Sequence, residues 1–411
     1  MSMDPDEKYA ESFLRPLAGE PRTPSVVDVD RAIADGERRL RRLRTAGAGA
    51  AAAVLVLAVT GGWVLLRTDA PVGPPDRVAI GPSPTSPTGS PSSSAPAVTP
   101  PTSCTVHRLD VPAGHPPRSV VTGADPTGRY LLGRSYPGSG PRPLIWDNGR
   151  VKAVGISGDD PQLVDVTSTG VAVGFSFVDA SSGRTAAWVY RSGRLSRLAG
   201  DNTTASGIND REVIVGSVDG RPAVWSSPTS RPTMLSTPDR GWTGAAVGID
   251  EDGTIVGALQ GPSDREPDGY LWRPDGTLEK LPVPTLRGKP ATTYTPHAIR
   301  HGWIVGWSAL DERGARYIGA PRWNLRTGEV EPFDAAGSTE AVNRYGWTVG
   351  VGPAGAQFLA DGTSVDLPDL DRNANRDGTR VLTVSDDGRT LAGQADWGEE
   401  EEPVAVRWRC R

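Results

Sequence analysis

The chain carries four histidines, His107, His115, His297 and His301, the side chains best suited to proton transfer or metal ligation near neutral pH. Their spacing argues against both roles. His297 and His301 flank an expected strand and its turn, and residues four apart on a strand lie about 13 Å from each other, too far to share a metal. His107 falls in another expected strand and His115 in the loop after it. Neither H-E-x-x-H nor G-x-S-x-G occurs. The stretch "GVGPAG" (350–355) spells G-x-G-x-x-G, but that fingerprint holds a phosphate only between a strand and a helix N-terminus. Here strands are expected on both sides and Pro353 lies inside, so a tight hairpin is expected. "DLDRNANRDG" (369–378) alternates oxygen-bearing side chains at Asp371, Asn373, Asn375 and Asp377, as a calcium loop does. Arg376 stands where such a loop needs glycine and no acidic residue closes it, so a polar connecting loop is expected; "EEEE" (399–402) reads as a solvated loop. We assign no catalytic residue, no metal site and no cofactor. The net charge of −5 argues against a nucleic-acid partner.

The elements that would carry any site repeat along the chain. Seven related hairpins occur, "GADPTGRYLLG", "VTSTGVAVG", "GINDREVIVG", "GIDEDGTIVG", "AIRHGWIVG", "AVNRYGWTVG" and "VSDDGRTLAG". They close on Gly133, Gly174, Gly216, Gly257, Gly306, Gly350 and Gly393, at spacings of 41, 42, 41, 49, 44 and 43 residues. An aromatic strand follows each, with Trp146, Trp188, Trp225, Trp272, Trp323 and Trp408, and with Phe358 in repeat six. A further short strand such as "GRVKAVG" or "GTLEKLPV" then completes the unit. Four strands in about 43 residues is the period of a propeller blade. One such sheet cannot bury both faces; seven around an axis can. The expected fold is all-β, a seven-bladed β-propeller over residues 104–411.

The last repeat lacks its fourth strand. "CTVHRLDV" (104–111) matches "GTLEKLPV" in apolar pattern, Val106 with Leu278, Leu109 with Leu281 and Val111 with Val283. It is expected to complete the last blade, 381–410, and so to close the ring. The two cysteines, Cys104 and Cys410, then start and end neighbouring strands, two aligned positions apart, within reach of a disulfide that closes a loop of about 300 residues.

Ahead of the repeats, residues 45–66 form an uncharged run, "TAGAGAAAAVLVLAVTGGWVLL", long enough to span a hydrocarbon core of roughly 30 Å as one helix. Arg31, Arg38, Arg39, Arg41, Arg42 and Arg44 precede it, so residues 1–44 are expected in the cytoplasm, with a short basic helix over 26–44, and the remainder outside. The run is too long for a signal peptide and no A-x-A site directly follows, so an uncleaved anchor is expected. Residues 67–103 are rich in Pro, Ser and Thr and read as a disordered, semi-extended stalk.

The wording "GIND..VIVGS…AVW" (207–225) resembles the HAF-type repeat and, more loosely, WD-repeat propeller blades, a likeness covering 104–411. The chain lacks the recurrent WD signature of the eukaryotic repeats, and repeats two, five and six have drifted. The resemblance implies the architecture of a bacterial propeller ectodomain on a single-pass anchor, and leaves activity open because propellers host binding modules, scaffolds and enzymes alike. The basic tail resembles juxtamembrane tails of membrane proteins associated with extracytoplasmic-function sigma factors, without a zinc-binding His/Cys cluster. In a propeller, one end gathers the connections between blades and the loops between second and third strands. Tyr136, Phe177, Trp242, Trp307, Arg313 and Trp397 lie in or beside such loops, and exposed aromatics and arginines are the usual interface anchors. The expected function is non-enzymatic binding of an extracellular protein or cell-wall glycan. A transmembrane sensor reporting through residues 1–44 and a propeller hydrolase or lyase are the alternatives.

Overall fold

The computed structural model describes residues 99–411 apart from Ala180, Arg265, Arg313, 334–337, 353–354, 371–378 and 398–401. The expected membrane helix, the basic tail and most of the stalk lie outside these residues, as do Arg313 and the expected polar loop at 371–378. Among the described residues no helix is long and apolar enough to cross a membrane.

The described chain forms seven four-stranded antiparallel sheets. Their first strands are Ser119–Ala124, Asp159–Val166, Thr203–Ile208, Thr243–Ile249, Thr293–Arg300, Ser338–Val342 and Arg380–Val384, in blades 1 to 7. Each first strand touches the first strands of both neighbouring blades, and that of blade 7 touches that of blade 1. The first strands therefore ring a common axis, and the fold is a closed seven-bladed propeller.

A shared distortion explains the repeated glycines. Every first strand has a β-bulge, and the residue just before it pairs with the closing glycine on the second strand: Val121 with Gly133, Leu163 with Gly174, Ala205 with Gly216, and so on to Val381 with Gly393. The bulge drives a first-strand carbonyl oxygen into the place of a side chain. A Cβ on any of the seven glycines would lie 1.9–2.3 Å from that oxygen.

The aromatic positions are equally regular. Trp146, Trp225, Trp272, Trp323 and Trp408 each pair with the residue two before the closing glycine. All five are fully buried, and each indole N–H donates to a backbone carbonyl in the connection from the preceding blade, at Asp110, Ala199, Ser236, Pro282 and Pro368. A buried indole needs such an acceptor, and here it ties blade to blade. Two repeats differ from expectation. Trp188 sits opposite Gly174 itself, two residues early, half-buried, and donates to Ser176 Oγ. Phe358 is out of phase by one: it pairs with Val349 and packs with Val381 and Trp408 of blade 7, while Leu359 takes the tryptophan position. On a strand a slip of one residue reverses the face.

Blade 7 is built from both ends of the described chain. Its sheet runs Cys104–Arg108, Glu402–Cys410, Thr390–Trp397, Arg380–Val384. Leu109 continues the pairing, its N–H bonding Ala405 O just as Leu281 N–H bonds Gly269 O in blade 4, so the two segments are structurally equivalent. Cys104 and Cys410 are direct register partners, not two positions apart as the pattern suggested, and they form a disulfide. Upstream, Thr102 N–H still bonds Arg411 O, so the ordered contacts of the propeller begin before Cys104.

Candidate functional site

The two ends of the propeller differ. At one end lie the tight turns between first and second strands. Their opening residues are Asp125, Thr167, Asn209, Asp250, Asn343 and Ser385, all buried, and blade 5 has Arg300 instead. These short polar side chains cap their own turns: Asn209 Oδ1 accepts from Arg211 and Val213 N–H, and Asn343 Oδ1 from Tyr345 and Trp347 N–H. They also join neighbours, Asn209 Nδ2 donating to Asp250 O and Asn343 Nδ2 to Ser385 O. Asp250 reaches into blade 5, where its carboxylate accepts from His301 and Gly302 N–H at 2.9 and 2.7 Å. That turn has two central residues, both at positive φ, the tightest hairpin connection. Freed from capping, Arg300 extends to Glu251 in blade 4 (2.9 Å) and to Asp386 in blade 7 (2.8 Å), bypassing blade 6. Its side chain is 17% exposed, so one guanidinium spans the axis and staples three blades.

Asp165 lies near enough to this bridge for the charges of Arg300 and Glu251 to act on it. It follows the bulge of blade 2, a position filled by Gly123, Gly207, Gly248, Ala298, Ala341 and Thr383 elsewhere. Its carboxylate accepts the N–H of Ile208 in blade 3 at 2.8 Å and that of Val166 at 2.9 Å. Burial raises its pKa to about 7, against the lowering effect of those two donors and of Arg300. Asp165 therefore binds a proton in the folded state that it has lost in the unfolded chain between roughly pH 4 and pH 7, so stability falls as pH rises through that window and levels off above it. Asp165→Asn, which mimics the protonated form, is expected to melt with wild type at pH 4 and several degrees above it at pH 8. Thermal melts of both proteins across that range check this; parallel curves would refute it.

The histidines are scattered. His115 Nδ1 lies 2.7 Å from Ser135 Oγ, His297 Nδ1 lies 3.3 Å from Thr339 O and 4.0 Å from Glu340, His301 is in the blade 5 turn, and His107 is exposed in the closing strand. Among the described residues no three His, Cys, Asp or Glu side chains are grouped to hold a metal. "GVGPAG" joins two strands whose ends pair, Gly352 with Gly355.

The opposite end carries the connections between blades and the second-to-third-strand loops, where topology puts Tyr136, Phe177, Trp242 and Trp397; Trp307 lies within the second strand of blade 5, paired with Thr295, and Arg313 is outside the described residues. Tyr136, half-buried, lies between the guanidinium groups of Arg118 and Arg134 at 4.9 and 5.5 Å from its ring centroid. Phe177 meets Phe175 edge to face at 6.4 Å. Trp242 packs edge to face on Tyr270 at 5.9 Å and belongs to the core between blades 3 and 4. Trp307 lies under Arg316 at 5.6 Å. Trp397 ends the second strand of blade 7, its backbone paired with Glu402. No ring contact joins any two of Tyr136, Phe177, Trp242 and Trp307; they mark one end without forming one cluster.

Blade 5 elaborates this end. Its second and third strands, Trp303–Glu312 and Ala315–Asn324, have ten residues each. A two-stranded hairpin, Thr285–Leu286 and Lys289–Pro290, packs against them through Leu286, whose Cδ2 occupies the space over Gly319. Arg287 stacks on Tyr317 at 4.2 Å and Lys289 pairs with Glu312 at 2.5 Å. Ile318 and Val283 beside them are 51% and 46% exposed. The long spacing of 49 residues between Gly257 and Gly306 is the sequence trace of this elaboration.

No family model matches the chain, and no curated protein matches it. Among solved structures, it is similar to an oligogalacturonate lyase from Vibrio parahaemolyticus, with 11% identity over 74% of this chain and 97% of that one and a TM-score of 0.48. It is also similar to the β-propeller domain of the Trilobed protease from Pyrococcus furiosus, with 11% identity over 71% and 95% and a TM-score of 0.47. A third is the Pan2 WD40 domain from Neurospora crassa, with 13% identity over 75% and 94% and a TM-score of 0.44. The architecture rests on the strand pairing itself; what those proteins do remains a property of those proteins.

Proposed function

We propose that this chain is a single-pass membrane protein whose propeller stands outside the cell on the Pro/Ser/Thr stalk and binds an envelope partner through its loop-rich end, without chemistry of its own. The observation that carries this reading is the blade 5 elaboration. Stacked aromatic–arginine pairs next to exposed aliphatic side chains, on strands longer than the fold requires, are the composition of an interface core rather than of a turn. Tyr136 between its two arginines extends the same chemistry to blade 1 of that end. The partner is an extracellular protein or a cell-wall glycan, both of which engage aromatic rings and guanidinium donors.

The placing of the lysines makes the test direct. The chain has four: Lys8 in the tail, Lys152 and Lys280 on outer strands, and Lys289 in the blade 5 hairpin. Amine-reactive cross-linking of the full-length protein in cells, followed by mass spectrometry, is expected to join Lys289 to partner peptides, with the link lost in a Trp307→Ala, Tyr317→Ala double variant. A glycan partner shows instead as retention of the protein on purified cell wall, lost in the same variant. Links from Lys8 to a cytoplasmic regulator would replace this reading with a transmembrane sensor.

A further inference from the structure

Blade 7 has a cationic face that no carboxylate among the described residues pairs with. Direct register partners on adjacent strands project to the same side of a sheet, so His107 with Arg407 and Thr105 with Arg409 form two neighbouring cross-strand pairs on the face opposite Val106 and Trp408. Neighbours of this kind lie about 5–7 Å apart, close enough for one small anion to touch all of them. Among the described residues neither Arg407 nor Arg409 forms an ion pair or a side-chain hydrogen bond. Arg407 is half-buried and its Nε, shielded from solvent, has no hydrogen-bond partner. The guanidinium is held below its ordinary pKa by burial first and by the like charge of Arg409 second. An orphaned, partly buried donor beside a second unpaired cation is a cost to the folded protein that a bound anion removes.

We propose that His107, Arg407 and Arg409 form an anion site for a phosphoryl group, which the planar guanidinium of Arg407 grips by its shielded edge. Phosphoryl oxygens match the fork of an arginine, and two arginines with an imidazole suit a group that carries more than one charged oxygen. The site stands apart from the loop-rich end. It exists only because the ring is closed, since His107 belongs to the N-terminal strand and both arginines to the C-terminal one. A free phosphate and a phosphodiester chain of the envelope present the same chemistry.

Isothermal titration of the full-length chain in detergent separates the two sources, with inorganic pyrophosphate and a synthetic glycerol-phosphate oligomer as probes. Binding to either is expected, and the tighter probe names the source. Arg407→Met is expected to weaken it about 10-fold or more, while melting no lower than wild type in phosphate-free buffer, because the substitution removes an uncompensated charge. Arg409→Ala, an exposed position at which the fold has nothing to lose, is expected to weaken it several-fold. Absence of binding to both probes by wild type overturns the proposal, as does undiminished binding by either variant.

Discussion

Gly216→Ala is expected to destabilise the propeller by about 3 kcal/mol or more, on the order of 6 °C in melting temperature for a domain of this size. The added Cβ would stand 2.0 Å from Thr204 O, 2.8 Å from Thr204 C and 3.0 Å from Ala205 Cα. All three are backbone atoms, so no rotamer change relieves the clash. Relief requires moving the bulge of the first strand, and that strand is packed between its neighbours around the axis. Gly155 is the control, because a Cβ there meets nothing within 4 Å and its φ is ordinary. Gly155→Ala is expected to be neutral or slightly stabilising, since it restricts the unfolded chain. Calorimetry of the two variants decides: similar melting temperatures would mean that the bulge yields easily and that the repeated glycines have another cause.

Removing the disulfide is expected to have the larger effect. Cys104 and Cys410 are separated by 306 residues, so the chain-entropy model gives an upper value of about 6 kcal/mol for closing the loop. The structure adds where the loss appears. Blade 7 is the one sheet whose strands come from opposite ends of the repeat array, and without the covalent bond it is held shut by the pairing of Cys104–Arg108, the backbone bonds of Thr102 and Leu109, the Trp146 bond to Asp110 O and the apolar packing of blade 7 on blade 1. In a Cys104→Ser, Cys410→Ser variant, hydrogen exchange should accelerate first in Cys104–Arg108 and Glu402–Cys410, then in the faces of blades 6 and 1 that pack on them, while blades 3 and 4 stay protected near their wild-type level. Loss of protection spread evenly over all seven blades would refute this order. An unchanged melting temperature would refute the stabilisation itself.

These two effects show what could be read along the chain. The glycine period, the tryptophan period and the missing fourth strand are local patterns, because a four-stranded meander pairs residues within about 40 positions and each blade must solve the same packing problem. Leu109 could be matched to Leu281 for that reason, and the cysteines followed from the match. Local drift is harder to read: Phe358 looks like one more member of the aromatic series, and only register shows that it faces blade 7. The repeat pattern assigns the loop residues to one end, yet Trp242 is a packing residue and Trp307 lies within a strand, and the pattern does not single out the side chains that stack beside Trp307, Arg316 and the Arg287–Tyr317 pair.

The axial cluster was not legible, although two departures from the repeat pointed to it. Asp165 stands in a series of Gly, Ala and Thr, and Arg300 in a series of short turn-capping side chains. Each departure reads alone as drift. Arg300 and Asp386 are 86 residues apart in sequence, and Arg300 meets Glu251 and Asp386 only because seven blades close around one axis. The unpaired arginines of blade 7 depend on closure in the same way. By itself the sequence determined the blade, its count and its covalent closure, since these follow from hydrogen bonding and burial within one repeat. Tertiary structure alone decided which charges meet at the axis and which are left without a partner, because those contacts depend on the angle and distance between sheets, which no single repeat encodes.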